Sequence, residues 1–297
     1  MQGKTVLITG ANSGVGLATS LELAQFGATV IMVSRDVERG RTARAQVAKV
    51  ATGPGPILLI ADLSSQAAVR ALAEEVRAQF AQIDVLINNA GAMFARRELS
   101  VDGIEKTFAI NHLAPFLLTN LLLDLVSAAP AGRIITVSAE LHSGFLDFDN
   151  LQGERIYHFL GAYNRSKLGN VLFTYELARR LKGTTVTANA VSPGPTMTRF
   201  GDNMRGLPGL FPRLMKRIPF MLASPEKGAK TIVYAASSAE IAGVTGRFFL
   251  RSKEWRTKPI TYNTEVAARL WKISEELTNA DAQKAVAVPS VLKPLAI

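Results

Sequence analysis

The sequence predicts an α/β fold: a single domain built on a doubly wound parallel sheet, flanked by helices on both faces. Three observations predict it. Apolar, strand-like runs alternate with helix-like stretches along most of the chain. Those runs lack polar alternation, which marks strands covered on both sides. An octapeptide, Thr9-Gly10-Ala11-Asn12-Ser13-Gly14-Val15-Gly16, lies directly between the first strand and the first helix. There its glycines can make a tight turn.

The elements follow in order. Strand Thr5–Thr9 leads through the glycine turn to a helix over about Gly14–Phe26. The β-branched Thr29–Val33 is the second strand, and a polar helix from Asp36 to about Val50 follows it. Gly53-Pro54-Gly55-Pro56 is a turn, and Ile57–Ile60 the third strand. Val69, Leu72, Val76 and Phe80 recur at helical spacing within Ser65–Gln82. Val85–Ile87 is a fourth strand, about Val101–Ser127 a long helix, and Ile134–Val137 a fifth strand. Tyr163–Leu181 reads as helix and Thr185–Ala190 as strand. Pro225–Ser237 begins with proline in its first turn, as helices tolerate. Gly246–Leu250 is the last strand, before an amphipathic helix near Glu265–Leu277. The expected Rossmann-like domain spans 1–285, with a lid at about 195–224 and a loose C-terminal tail at 286–297.

Composition narrows the chemistry. The 297 residues are 48% hydrophobic and 20% charged, as expected of a globular protein with a large core. No cysteine is present, so disulfides, thiolate catalysis and cysteine-ligated metal are excluded. His112, His142 and His158 show no metal-ligand spacing and read as hydrogen-bonded structural residues. No bound metal is expected. The net charge of +10 is spread over short clusters without an aromatic-interleaved basic stripe, which argues against nucleic acid. Phe116–Val126 contains Thr119, Asn120 and Asp124 and does not suit a bilayer. A cytoplasmic protein is expected, with no transmembrane segment and peripheral membrane contact left open.

Two features carry chemistry. Missing side chains at Gly10, Gly14 and Gly16 would let a phosphate approach backbone N–H groups at a helix N-terminus. Tyr163 and Lys167 stand four apart, on one helical face. An ammonium beside a phenol favours phenolate and would lower the tyrosine's pKa toward neutrality. Arg35, just past the second strand, offers a guanidinium fork suited to a 2′-phosphate. Asp36 could instead hold ribose hydroxyls, but it reads as the N-cap of the next helix. NADP(H) is therefore favoured over NAD(H).

With these pieces the chain resembles the short-chain dehydrogenase/reductase family. The matches are Thr9-Gly10-x-x-x-Gly14-x-Gly16, Asp62-Leu63, Asn88-Asn89-Ala90-Gly91, Asn111, Tyr163-x-x-x-Lys167 and Pro193-Gly194, in family order over about 4–200. The resemblance implies cofactor contacts at Gly10, Asn12, Ser13, Gly14, Val15, Gly16 and Arg35. It implies others at Asp62 and Leu63 by the adenine, at Asn89, Ala90 and Gly91, and at Pro193, Gly194 and Thr196. It makes Tyr163 the proton donor or acceptor, has Lys167 hold the nicotinamide ribose, and gives Asn111 a place in a proton-relaying water chain. Asn111-His112-Leu113, Tyr175–Leu181 and the long stretch from Ala139 to Tyr163 resemble the retinol dehydrogenase-like branch, which implies a lipophilic carbonyl or alcohol as substrate. The lid sequence, with Met197, Phe200, Met204, Phe211, Met215 and Phe220, suits either an oily ligand or ordinary packing. Relatives pair through the helices bearing Asn111 and Tyr163, so monomer and homodimer both stay open.

One family element is missing. The family places a catalytic serine where this chain has Ala139, within Val137-Ser138-Ala139-Glu140. Ser138 is the available hydroxyl, although a one-residue slip on extended chain points a side chain the opposite way. The leading expectation is a carbonyl reductase or alcohol dehydrogenase using NADP(H) on a hydrophobic small molecule. The alternative is a cofactor-binding protein with weak or no turnover.

Overall fold

A computed structural model describes residues 1–140, 142–195 and 223–279. The expected lid, apart from its borders, the tail and Thr196 lie outside the described residues. The chain runs β1 (Thr5–Thr9), α1 (Gly14–Gln25), β2 (Thr29–Ser34), α2 (Val37–Val50), β3 (Ile57–Ile60), α3 (Gln66–Gln79) and β4 (Val85–Asn88). A short α4 (Lys106–Phe108), a π-helical turn (Ala109–Leu113) and α5 (Ala114–Ser127) form one continuous helical stretch. Next come β5 (Arg133–Val137), α6 (Phe159–Arg180) and β6 (Thr187–Ser192). Beyond the undescribed segment lie α7 (Pro225–Ser237), β7 (Phe248–Leu250), β8 (Lys253–Glu254) and α8 (Thr264–Thr278).

The strands form one sheet in the order β3-β2-β1-β4-β5-β6-β7-β8. Every pairing is parallel except β7 with β8. Successive side chains point to opposite faces. Leu7, Ile31, Leu86 and Ile134 therefore pack with α3, α5, α6 and α8 through Leu72, Phe116, Phe173 and Trp271. Val6, Ile8, Met32 and Ile87 pack with α1, α2 and α7 through Leu23, Val47 and Ile232. The doubly wound expectation holds. Its topological switch point lies between β1 and β4, where such sheets bind ligands beyond the strands' carboxyl ends.

Three element boundaries and one added strand differ from the sequence expectation. The long helix begins at Lys106, not Val101, because Ser100 and Gly103 close a turn and Glu105 caps the helix through Thr107 N–H and Phe108 N–H. Helix α6 begins four residues early, at Phe159, which puts Tyr163 inside a formed helix. Strand β6 is displaced by two residues, since the Thr184 hydroxyl bonds Leu181 O and extends the turn. Strand β8, an antiparallel edge, was not foreseen. Among the described residues, Lys106–Ser127 is the one segment long and apolar enough to cross a membrane. It lies 78% buried, as a core helix would.

Candidate active site

The site is assembled where β1, β4, β5 and β6 end. The Thr9 hydroxyl, at the end of β1, accepts the N–H groups of Asn89 (2.9 Å) and Ala90 (3.0 Å). In return Asn89 Nδ2 donates to Thr9 O at 2.8 Å. The turns after β1 and β4 are thus laced together. Gly10 has φ +66°, and a Cβ there would stand 3.0 Å from the Ala90 Cα. At Gly16 a Cβ would overlap the Gly10 carbonyl oxygen.

Ser13 is the N-cap of α1, but its side chain makes no capping bond, and the first turn carries no acidic residue. The first turn therefore brings no carboxylate of its own to the positive end of the helix dipole. Asn12, Ser13, Gly14 and Leu17 line a cleft of about 440 Å³ together with Glu38, Arg39 and Thr42 of α2. A close backbone approach, an open helix N-terminus and a facing guanidinium fit the pyrophosphate and phosphates of a dinucleotide. Gly16→Ala should abolish cofactor binding and lower Tm, since the overlap is with backbone. Calorimetry with and without NADPH measures both.

Asp36 is the N-cap of α2 as expected, its Oδ1 accepting from Arg39 N–H at 3.0 Å. Arg35 is exposed at the end of β2. The residue that sequence reasoning missed is Arg39, which lines the cleft and pairs loosely with Asp36 at 3.5 Å. Its signal was its place in the first turn of α2, three residues beyond the cap. Asp62 is exposed and caps its own turn through Ser64 N–H (2.9 Å), while Leu63 packs on the core. Ala90 is half-buried and Gly91 exposed after β4. Val15 lies buried under the glycine turn. Beyond β6, Pro193 is half-buried and Gly194 adopts φ +73° with its N–H on Ser192 Oγ.

Lys167 is buried, and its ammonium donates to the Val137 carbonyl at 3.0 Å, at the tip of β5. The same Nζ stands 5.6 Å from the centroid of the Tyr163 ring. Tyrosine and lysine therefore meet at the carboxyl edge of the sheet, the same edge as the glycine turn. Burial acts on both groups. It pushes Lys167 down to about 8 and raises Tyr163 above the ordinary phenol range. The tyrosine is raised where the sequence led us to expect lowering, because burial penalises the charged phenolate.

Asn111 lies in the π-helical turn, fully buried. Its Oδ1 accepts Ala92 N–H at 2.7 Å, and its Nδ2 donates to Ala92 O and Ser166 Oγ, each at 3.0 Å. Ser166 Oγ donates to Tyr163 O at 2.7 Å. Asn111 thereby ties the loop after β4 to α6. Ser166, not singled out from sequence, is the link.

The hydroxyl of Ser138, the one available in place of the family's serine, is engaged within the fold. Ser138 is buried, and its hydroxyl donates to the Lys167 carbonyl at 2.6 Å, so it staples β5 to α6. The half-buried methyl of Ala139 stands at the neighbouring position. The slip of one residue sends the hydroxyl inward, as alternation requires. Among the described residues no cluster of ligands could hold a metal ion.

A dinucleotide cradle beside a tyrosine–lysine pair at the switch point of a doubly wound sheet defines a nucleotide-dependent oxidoreductase. The family model for short chain dehydrogenases matches residues 4–206, and the chain belongs to that family. It is 43% identical to retinol dehydrogenase 14 of Homo sapiens over 290 residues, covering 93% of this chain and 86% of that protein. It is 39% identical to retinol dehydrogenase 13 of Homo sapiens, over 94% of this chain and 86% of that one. A crystal structure of an uncharacterized protein from Mycobacterium paratuberculosis superposes with TM-score 0.75 and 33% identity, over 94% of each chain. A Beutenbergia cavernae structure with bound NADP, assigned provisionally as an NAD(P)-dependent gluconate 5-dehydrogenase, gives 0.66 and 29%. It covers 84% of this chain and 96% of that one. The protein is thus a short-chain oxidoreductase similar to the retinol dehydrogenases.

Proposed function

We propose that the protein interconverts a carbonyl and an alcohol on a hydrophobic small molecule, of the retinoid kind, with NADP(H). One observation carries the reading: the Lys167 ammonium between the Tyr163 ring and the Val137 carbonyl, at the sheet edge that bears the glycine turn. Gly10–Gly16 would hold the pyrophosphate of the cofactor, whose reduced nicotinamide would supply the hydride. Tyr163, kept protonated by burial, gives its phenolic proton to the substrate oxygen. Lys167 stabilises the phenolate left behind. The phenol is protonated at neutral pH and so has a proton to give, and the neighbouring ammonium offsets the weak acidity that burial imposes on it.

Arg35 and Arg39, at either end of the Asp36 cap, supply the positive charge that a 2′-phosphate requires. Retinal, long-chain aldehydes and steroid ketones with NADPH test the reading directly. Turnover of at least one, with NADPH preferred to NADH, is expected. Arg35→Ala should raise KM for NADPH about tenfold, one charge-assisted contact, and leave KM for NADH nearly unchanged.

A second reading rests on Ala139 and on the inward Ser138 hydroxyl. One donor fewer at a developing oxyanion costs about 10²-fold in rate. NADPH binding without oxidation across the whole panel would establish a cofactor-binding protein instead.

A further inference from the structure

Three large apolar side chains stand exposed on the stretch that leads into the tyrosine helix: Phe145 (70%), Ile156 (77%) and Leu160 (38%). Single exposed apolar residues are ordinary, but a group beside one site points to something that covers it. Fixed backbone holds the first two out. The Ser143 hydroxyl donates to Phe145 O at 2.7 Å, and Ser143 N–H donates to Asn164 O at 3.1 Å, next to Tyr163. Asn150 Oδ1 accepts Arg155 N–H at 2.9 Å, and its Nδ2 donates to Ile156 O at 3.1 Å. The Tyr157 hydroxyl, donating to Phe94 O at 2.8 Å, ties this stretch to the loop after β4.

Leu160 is placed by the helix itself. Within α6 (Phe159–Arg180), Leu160, Tyr163 and Lys167 stand at i, i+3 and i+7, on one face. Lys167 lies deepest, bonded to the tip of β5. Helix α6 starts beyond the carboxyl edge of the sheet and runs back to β6, so its first turn points outward. Three residues of rise put Leu160 about 4.5 Å further out than Tyr163. Helical side chains lean toward the N-terminus, which inclines the Tyr163 ring toward Leu160. Gly161 keeps the adjoining surface low: the one heavy atom near an added Cβ would be the His158 Cβ, at 3.8 Å. The reactive face thus passes from ammonium to phenol to isobutyl group, from sheet to solvent.

We propose that Leu160 is a specificity-determining residue: hydrocarbon attached to the reacting carbon leaves the phenol across its side chain. Ile156 and Phe145, on the stretch tied to Phe94 and Asn164, offer that hydrocarbon further apolar surface. The occupant is the substrate's own tail, because Leu160 continues the face that bears Tyr163. The proposal rests on the reading above that Tyr163 serves a carbonyl or alcohol. It narrows the substrate class to compounds with an apolar chain several carbons long, against short or polar-tailed carbonyls.

Propanal ends before Leu160, whereas decanal passes it. In kcat/KM with NADPH, the wild type should prefer decanal by about 10²-fold or more, since each buried methylene is worth up to about fourfold. Leu160→Gln, which keeps helix propensity, should cut that preference about tenfold, chiefly through KM, and Leu160→Met should keep it. Phe26, exposed where α1 ends at the opposite edge of the sheet, is the control. A preference unchanged in Leu160→Gln, or cut as far in Phe26→Asn, overturns the proposal. Binding needs no turnover, so failure here is distinguishable from failure of the enzymatic reading. Calorimetry of 1-decanol on the NADPH-loaded enzyme should show about tenfold weaker binding in Leu160→Gln. Decanol that binds wild type and variant alike, or neither, refutes it. A dimer seen in sedimentation and lost in Leu160→Gln would give the surface to a second copy of the chain, and also refutes it.

Discussion

Tyr163→Phe is expected to lower kcat by about 10²–10⁴-fold, the usual contribution of a positioned proton donor. NADPH affinity should stay within a few-fold. The change removes one oxygen and leaves the ring on which the Lys167 ammonium rests at 5.6 Å. The lysine's other anchor, the Val137 carbonyl, is untouched. Stopped-flow reduction and a separate fluorescence titration with NADPH divide the two effects. Ser138→Ala is the control. Its hydroxyl is already spent on the Lys167 carbonyl, so it should cost stability rather than chemistry. A Tyr163→Phe variant that turns over at the wild-type rate would remove the phenol from the mechanism. A Ser138→Ala variant that loses turnover at unchanged Tm would restore Ser138 as an oxyanion donor.

The sequence was legible where function depends on local chain properties. Gly10 and Gly16 declare themselves because nothing but glycine fits beside Ala90 and under the Gly10 carbonyl. Tyr163 and Lys167 declare themselves through the helical period. The Asp36 cap could be read because capping is a three-residue affair. What stayed hidden depends on packing or on a count of one. The π-helical turn at Ala109–Leu113 adds one residue to a helical turn, which no periodicity of so short a stretch reveals. Ser138 and Ala139 exchange roles with a single residue of strand length. Arg39 reaches the cleft only because α2 packs where it does. Ser166 and Asn170 read as ordinary helix residues until Asn111 and Val137 are seen opposite them. The raised pKa of Tyr163 is likewise a property of burial, which a helical period does not disclose.

Lys167→Met is expected to abolish turnover and yet raise Tm, a trade that follows from the depth of the site. The buried ammonium titrates near 8 instead of 10.5. Keeping it charged at pH 7 therefore costs the fold about 3 kcal/mol. Against this, the variant gives up the bond to Val137 O, worth about 1 kcal/mol, and the contact with the Tyr163 ring, of similar size. Asn170 still satisfies the Val137 carbonyl, so no orphan is created. The balance favours methionine by about 1 kcal/mol, or about 2 °C in Tm for a chain of this size. The sign with pH is definite. Below about 8 both folded and unfolded lysine are charged, and the full cost is present. Between 8 and 10.5 the unfolded chain binds the proton more tightly, so wild-type stability rises relative to the variant. The variant's advantage should shrink between pH 7 and pH 10, as paired thermal melts at the two values would show. Equal advantage at both would mean that folded and unfolded lysine bind the proton alike, so that burial does not lower the pKa of Lys167.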